Sequence, residues 1–221
     1  MAIEVFWSSG SPFSWRVLLA LEAKRLPYVS HLVEMSQGQH KSPAYLALNP
    51  RGQVPTLRDG DYSVYESVAI LAYLDRKYPQ TPLYGTTAEE SGTIWRAVCE
   101  TTSYLEQPTD EFILPIYRGQ ATEKAEVVRA TLPPIRAELA RLEATLRDGN
   151  RTWLAAATLS AADIVVFPLV MSLLRAAGKP AAEAFEHGLT PFAEKYPALA
   201  AWVARIEALP GYQRTYPPHW R

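Results

Sequence analysis

The chain has a single cysteine, Cys99. One thiol excludes an internal disulfide framework and leaves no cysteine-built metal site. No stretch stays apolar for the roughly 18–20 residues that a membrane-crossing helix needs. Neither sign of charge dominates: 22 lysines and arginines face 23 aspartates and glutamates, a formal net charge of −1. Nucleic acid and anionic membrane surfaces both select a basic face, so this balance argues against either partner. The opening MAIEVFW lacks the basic region, long apolar core and small-residue cleavage site of a secretory leader. A cytoplasmic location is the expectation.

What is present is a composition of 48% hydrophobic and 20% charged residues over 221 positions, which suits one large globular domain or two modest ones. The prolines punctuate it. Residues 3–7 read as a short strand. Ser11 then stands as a helix N-cap with Pro12 at the first helical position, and Phe13, Val17, Ala20 and Leu21 recur at helical spacing. Residues 28–33 form a second strand, parallel to the first because a helix lies between them. Ser42-Pro43 repeats the capping device, and Asn49-Pro50 ends that short helix. Residues 54–65 read as a hairpin about Asp59-Gly60. A third helix runs over 67–77 with Val68, Leu71, Leu74 and Tyr78 as its apolar stripe.

PQTPLYGTT, residues 79–87, reads as a linker. Beyond it no strand pattern is evident. Helices are expected over 89–117 with a bend at Pro108, over 122–147, over 161–176 and over 198–209. Ile135, Leu139, Leu142 and Leu146 make the clearest stripe, and Pro133-Pro134 just before it predicts a kink or restart. Ser160 and Asp163 form a capping pair. The expected architecture is an α/β domain over residues 1–79, of order βαβ, helix, ββα, followed by an all-helical domain over 88–221.

Three pieces of the first domain carry chemistry. The order βαβ–ββα with a strand–turn–helix corner is the thioredoxin plan, whose corner holds a nucleophilic cysteine at a helix N-terminus. Here the corner reads Ser11-Pro12-Phe13-Ser14. A serine forms no mixed disulfide, yet its hydroxyl can donate to a thiolate brought by another molecule. The second piece is Gln53-Val54-Pro55. A proline at the start of a strand facing that corner is expected to be cis, with the Val54 backbone groups left to pair with an extended peptide. The third is Glu66-Ser67 at the start of the third helix, where N–H groups and a hydroxyl suit a carboxylate and Glu66 suits an ammonium. A free amino-acid head, a mid-chain amide and a thiol together describe glutathione.

The segments SPFSWRV, NPRGQVPTLRDG, YESVAILAYLDRKYP, WLAAATLSAADI and YPALAAWVARIEALPGY resemble those of a soluble glutathione transferase along essentially the whole chain. The serine-type theta and zeta classes are the most similar. The resemblance implies a thioredoxin-like glutathione domain, a helical domain contributing the electrophile site, and Ser11 as the catalytic hydroxyl. It implies glutathione contacts from Gln53, Val54, Pro55, Glu66 and Ser67, with His40 and Lys41 on the glycyl carboxylate. Zeta isomerases have Ser-Cys where this chain has Pro12-Phe13, which weakens an isomerase assignment. Ser11 in place of the omega-class cysteine argues against thiol-transfer reduction. Ser9 and Ser8 are the fallback donors.

The implied reaction joins a glutathione thiolate to a small apolar electrophile, with glutathione as co-substrate and with no other cofactor and no metal. The alternatives are a glutathione-dependent isomerase or dehalogenase, and a non-catalytic interaction module of the same fold. Phe13, Trp95, Tyr104 and Trp220 are candidates for an electrophile pocket between the domains. Cys99 reads as a small buried hydrophobe. The aromatic segment 216–221 is expected either to cover that pocket or to fray. A homodimer is the family's usual state.

Overall fold

A computed structural model of the chain describes residues 2–221. By its contacts the chain divides into two compact units. The first runs to Tyr84 and also takes in Glu207–Arg221; the second is Gly85–Ile206. The sequence boundaries had put residues 207–221 in the helical domain. Their packing partners lie on the first unit instead, as described below.

The first unit contains β1 (Ile3–Trp7), α1 (Pro12–Ala23), β2 (Tyr28–Leu32), α2 (Pro43–Leu48), β3 (Thr56–Asp59), β4 (Tyr62–Tyr65) and α3 (Ser67–Lys77). Two 3₁₀ turns, Met35–Gln37 and Gln39–Lys41, separate β2 from α2. The strands form one sheet in the order β2-β1-β3-β4. β1 pairs parallel with β2 and antiparallel with β3, and β3 pairs antiparallel with β4. Because side chains alternate along a strand, β1 sends Ile3, Val5 and Trp7 into the core. There they join Leu18 and Leu21 of α1, Leu57 of β3, and Ile70, Leu71 and Leu74 of α3, all buried. The opposite face holds Glu4, whose carboxylate accepts from Arg58 and lies 2.9 Å from His31 Nε2. The hairpin turn is Gly60-Asp61, one residue later than expected, since Asp59 pairs with Tyr62. Gly60 has φ 66° and supplies the positive φ that the tight turn requires.

The second unit is helical: α4 (Ala88–Glu100), α5 (Glu106–Tyr117), α6 (Ala125–Asp148), α7 (Ala161–Ala177), α8 (Pro180–Glu183), α9 (Phe192–Lys195) and most of α10 (Pro197–Glu207). Two expectations need correction. The irregularity in the first long helix is a π turn at Thr101–Leu105, not a bend at Pro108. Pro108 lies three residues beyond that turn, within a helical run that continues from Ala88 to Tyr117. Nor does Pro133-Pro134 break α6, which runs continuously through both. Its buried stripe of Val128, Leu132, Ile135, Leu139 and Leu146 spans the pair, so packing holds on both sides of the two lost donors. The expected capping pair is present: the Asp163 carboxylate accepts from Ser160 N–H, and also from Leu154 N–H and the Trp202 indole, each at 2.9 Å. Among the described residues no helix is long and apolar enough to cross a membrane.

Residues 207–221 return to the first unit with α11 (Tyr212–Thr215) and a 3₁₀ turn at Pro218–Trp220.

Candidate functional site

The sheet register gathers the sequence-predicted residues at one end of the first unit. Phe6 of β1 pairs with Thr56 of β3, which pairs with Tyr65 of β4. The residues that follow β1, precede β3 and follow β4 therefore share that end: the 8–11 loop, Val54-Pro55 and Glu66-Ser67. β2 runs parallel to β1, with Leu32 opposite Trp7, so it delivers the 33–41 segment to the same end.

The 8–11 loop is a turn closed by Ser11 N–H to Ser8 C=O at 3.2 Å, with Gly10 at φ 80°. That is the position at which a type II turn demands glycine. Ser11 is the N-cap of α1, and its Oγ accepts the Ser14 N–H at 3.2 Å. A hydroxyl that accepts in this way keeps its own proton to donate. Pro12 takes the first helical position. Ser14 is fully buried, and its Oγ accepts the Ser8 N–H at 3.3 Å, tying the loop to the helix. Ser14 is thus a core residue with this positioning contact. Of the fallback donors, Ser9 has its Oγ 2.6 Å from His219 Nδ1.

The Val54-Pro55 bond is cis. Among the described residues neither the N–H nor the C=O of Val54 enters a backbone hydrogen bond. The loop before it is held from beneath. The Gln53 carbonyl accepts from Tyr45 OH at 2.5 Å and from Asn49 Nδ2 at 2.8 Å, and the same two groups contact Thr56 Oγ1. Asn49 Oδ1 also accepts the Arg51 N–H at 3.0 Å. Tyr45 and Asn49 are positioning residues that sequence reasoning missed. Asn49-Pro50 is expected to end the short helix, and asparagine's habit of bonding the backbone two residues on is the local signal for the Arg51 contact.

Glu66 is the N-cap of α3 with φ 70°, a left-handed conformation that non-glycine residues seldom adopt. Its side chain makes no capping bond. Its carboxylate is well exposed, 3.9 Å from the equally exposed Arg51, and such a pair contributes little. Ser67 is buried, and its Oγ accepts from Arg16 Nη1 at 3.3 Å. Gln53 is exposed near His40 and Lys41, for Gly52 is pressed against that pair: a Cβ there would lie 2.8 Å from the His40 carbonyl and 2.9 Å from Lys41 Nζ. His40 Nδ1 is buried with no hydrogen-bond partner among the described residues.

The four pocket candidates divide between the units. Phe13 and Trp220 belong to the first. Phe13 is half-buried, with the Arg16 guanidinium 5.0 Å from its ring centre. Trp220 packs edge-on against Trp15 at 5.4 Å, so the 216–221 segment is docked, not frayed. Trp95 and Tyr104 lie in the second unit, 37% and 59% exposed. Tyr104 lines a groove of about 550 Å³ with Arg96, Glu100, Glu138 and Arg141, and Trp95 is not part of its wall. Cys99 is exposed, against the expectation of a buried hydrophobe. It follows buried Val98 on α4 and so turns away from that helix's packed side. No group of His, Cys, Asp and Glu among the described residues could hold a metal ion.

A thioredoxin-like unit with serine at the corner of its first helix, joined to a helical unit, defines the class: a thioredoxin-fold protein without the redox cysteine. Residues 10–77 match the family model of the glutathione S-transferase N-terminal domain, and 108–210 match that of the C-terminal domain. Glutathione S-transferase A of Pleuronectes platessa is 29% identical over 219 residues, covering 98% of this chain and 92% of the relative. Glutathione S-transferase theta-1 of Rattus norvegicus is 28% identical over 96% of this chain and 85% of its own length. The crystal structure of a glutathione S-transferase from the Antarctic clam Laternula elliptica superposes with a TM-score of 0.80, at 29% identity, over all of this chain and 94% of that one. The chain belongs to the glutathione S-transferase family, and it is an enzyme with glutathione transferase activity.

Proposed function

We propose that Ser11 holds bound glutathione as its thiolate by donating a hydrogen bond to the sulfur, the thiol proton leaving to water, and that the thiolate then adds to small apolar electrophiles. The observation that carries this reading is the Ser11 hydroxyl at the N-terminus of α1, accepting from Ser14 N–H and so left with a proton to give. In this reading the Val54 backbone groups pair with the cysteinyl amide. Ser67 and the first N–H groups of α3 take the γ-glutamyl carboxylate, and Glu66 takes the ammonium. His40, Lys41 and Gln53 hold the glycyl end, and Pro55 shapes the floor. Phe13 offers apolar surface beside the sulfur.

The magnitudes favour a hydroxyl over the dipole alone. A free thiol has a pKa of about 8.5 and is mostly protonated at neutrality. Lowering it by ~2 units takes about 2.7 kcal/mol of preference for the anion. A helix terminus supplies ~0.3–1 kcal/mol, and ~2 kcal/mol in a partly buried site, which falls short alone, whereas a hydrogen bond to a charged group supplies ~1.5–3 kcal/mol. The thiolate attacks the electrophilic carbon, and the leaving group departs with the electron pair of the bond that breaks. Glutathione is a co-substrate, consumed in each turnover. A cytoplasmic homodimer is the working assembly in this reading, as is usual for the family.

The test is Ser11→Ala. It is expected to bind glutathione within about threefold of wild type while losing most of its turnover with chloronitroaromatics. Wild-type rates in this variant would remove Ser11 from the mechanism. Product analysis with a cis-dienone distinguishes conjugation from isomerisation.

A further inference from the structure

We infer that residues 216–221 form a strap over the serine corner, and that His219 is a positioning residue for that corner, acting through Ser9. The inference rests on the reading of Ser11 as the thiolate's donor. The strap is anchored just before it begins: Thr215 Oγ1 accepts from the Trp15 indole N–H at 2.9 Å, both groups buried. Tyr216 and Trp220 then pack edge-on against the same indole, at 5.8 and 5.4 Å. With Trp220 fixed, the 3₁₀ turn Pro218–Trp220 presents His219 to the loop, its Nδ1 2.6 Å from Ser9 Oγ across 210 residues of sequence.

Gly10 shows how close this approach is. A Cβ on Gly10 would lie 2.7 Å from His219 Cε1 and 3.4 Å from Trp220 Nε1. The imidazole therefore rests on the backbone between Ser9 and Ser11. Glycine is required there twice over, for φ 80° and for the absent side chain.

Among the described residues the 8–11 turn is held by Ser11 N–H to Ser8 C=O, by Ser8 N–H to Ser14 Oγ, by the bonds that Ser11 Oγ and C=O accept from Ser14 N–H and Trp15 N–H, and by Ser9 Oγ to His219. All but the last lie within the corner and the first turn of α1. The last comes from the far end of the chain, and it grips the residue beside Gly10. Releasing it lets the turn move about Gly10 and spreads the Ser11 hydroxyl over more positions. A donor loosened in this way still permits binding, but it stabilises the thiolate less often.

The experiment compares wild type, Ser9→Ala, His219→Ala, their double variant and His219→Asn, whose Oδ1 falls near the position of Nδ1. Calorimetry reads glutathione uptake, kinetics read kcat and KM, and ultraviolet absorbance reads the bound thiolate at neutral pH. His219→Ala is expected to lower kcat about tenfold, with glutathione KM within about twofold, and to weaken the thiolate band. His219→Asn restores most of both. The double variant is no worse than the worse single one, because either change breaks the same tie. Wild-type kcat and thiolate band in His219→Ala, or losses that simply add in the double variant, overturn the inference alone. Failure of the wild-type chain to take up glutathione overturns the ligand reading and this inference with it. Should His219→Ala not fold, Ser9→Ala carries the same expectation.

Discussion

The buried guanidinium of Arg16 donates from Nη1 to the Ser67 hydroxyl at 3.3 Å, linking the second turn of α1 to the first residue of α3. Arg16 is 1% exposed, so this contact forms away from water. A serine that accepts from a guanidinium has its own proton to offer a ligand carboxylate. Lysine in place of Arg16 keeps the charge and loses the planar fork. Arg16→Lys is expected to raise the KM for glutathione about tenfold, with kcat at saturating glutathione changed much less. Ser67→Ala should give the same signature. Steady-state kinetics with glutathione as the varied substrate decide it; an unchanged KM in both variants would detach Ser67 from the carboxylate.

Ser11 has two duties that a single alanine variant confounds, because it caps α1 as well as facing the proposed thiolate. Alanine removes the cap at a cost of about 1 kcal/mol. That corresponds to a loss of about 2–4 °C in Tm for a chain of this size. Aspartate is as good a cap and interacts favourably with the helix dipole. Ser11→Asp is therefore expected to melt within about 1 °C of wild type. It should have almost no conjugating activity, since a carboxylate there repels the thiolate. Calorimetric Tm and turnover measured on one preparation separate the two duties; an active Ser11→Asp would show that this hydroxyl is not the donor.

The parts that were legible in the sequence carry their signal locally. Ser11-Pro12 and Ser42-Pro43 state both cap and first turn within two residues, and both caps accept the expected backbone N–H. What was not legible depends on distant partners. Nothing near Glu207–Arg221 indicates that it packs on α1, because the partners of Thr215 and His219 are Trp15 and Ser9, some 200 residues earlier. Pro133-Pro134 reads as a break by local rules, and only the buried stripe on both sides carries α6 through it. In the candidate site, Ser11, Val54-Pro55 and Glu66-Ser67 were visible because each lies at an element boundary. Tyr45, Asn49, Ser14 and Arg16 were not, because they act from beneath, through side chains that the chain order does not bring into view.

Glu143 shows the same dependence on distance and can be tested. Its carboxylate is buried on α6 and accepts the N–H groups of Ala198 and Leu199 at 3.1 and 2.9 Å, capping α10 from another helix. Removing it strands two helix-terminal donors, one of them on fully buried Leu199. Glu143→Ala is expected to cost about 2–3 kcal/mol, and Glu143→Gln, which keeps one acceptor, about half of that. Urea unfolding followed by circular dichroism measures both. Equal stability of Glu143→Ala and wild type would mean that the bonds are replaced by water without loss.

Asp59 at the end of β3 supplies a pH dependence with a definite sign. Burial alone would push its carboxyl up, but hydrogen bonds from Lys77, Tyr78 and Tyr73, together with the Lys77 charge, outweigh burial and hold it below the ordinary carboxylate value. The contacts are close: Lys77 Nζ at 2.8 Å, Tyr78 OH at 2.8 Å and Tyr73 OH at 3.1 Å. Because the native pKa lies below the unfolded value of about 3.9, the stabilisation is complete above that pH and drains away as pH falls through the native value. In Asp59→Asn the charge is absent at every pH. That variant should be less stable than wild type at neutrality, and the gap should close on acidification from about pH 5 to about pH 3. Thermal midpoints of the two proteins across that interval provide the measurement. A gap that stays constant with pH would show that Asp59 contributes through hydrogen bonds that asparagine also makes, and not through its charge.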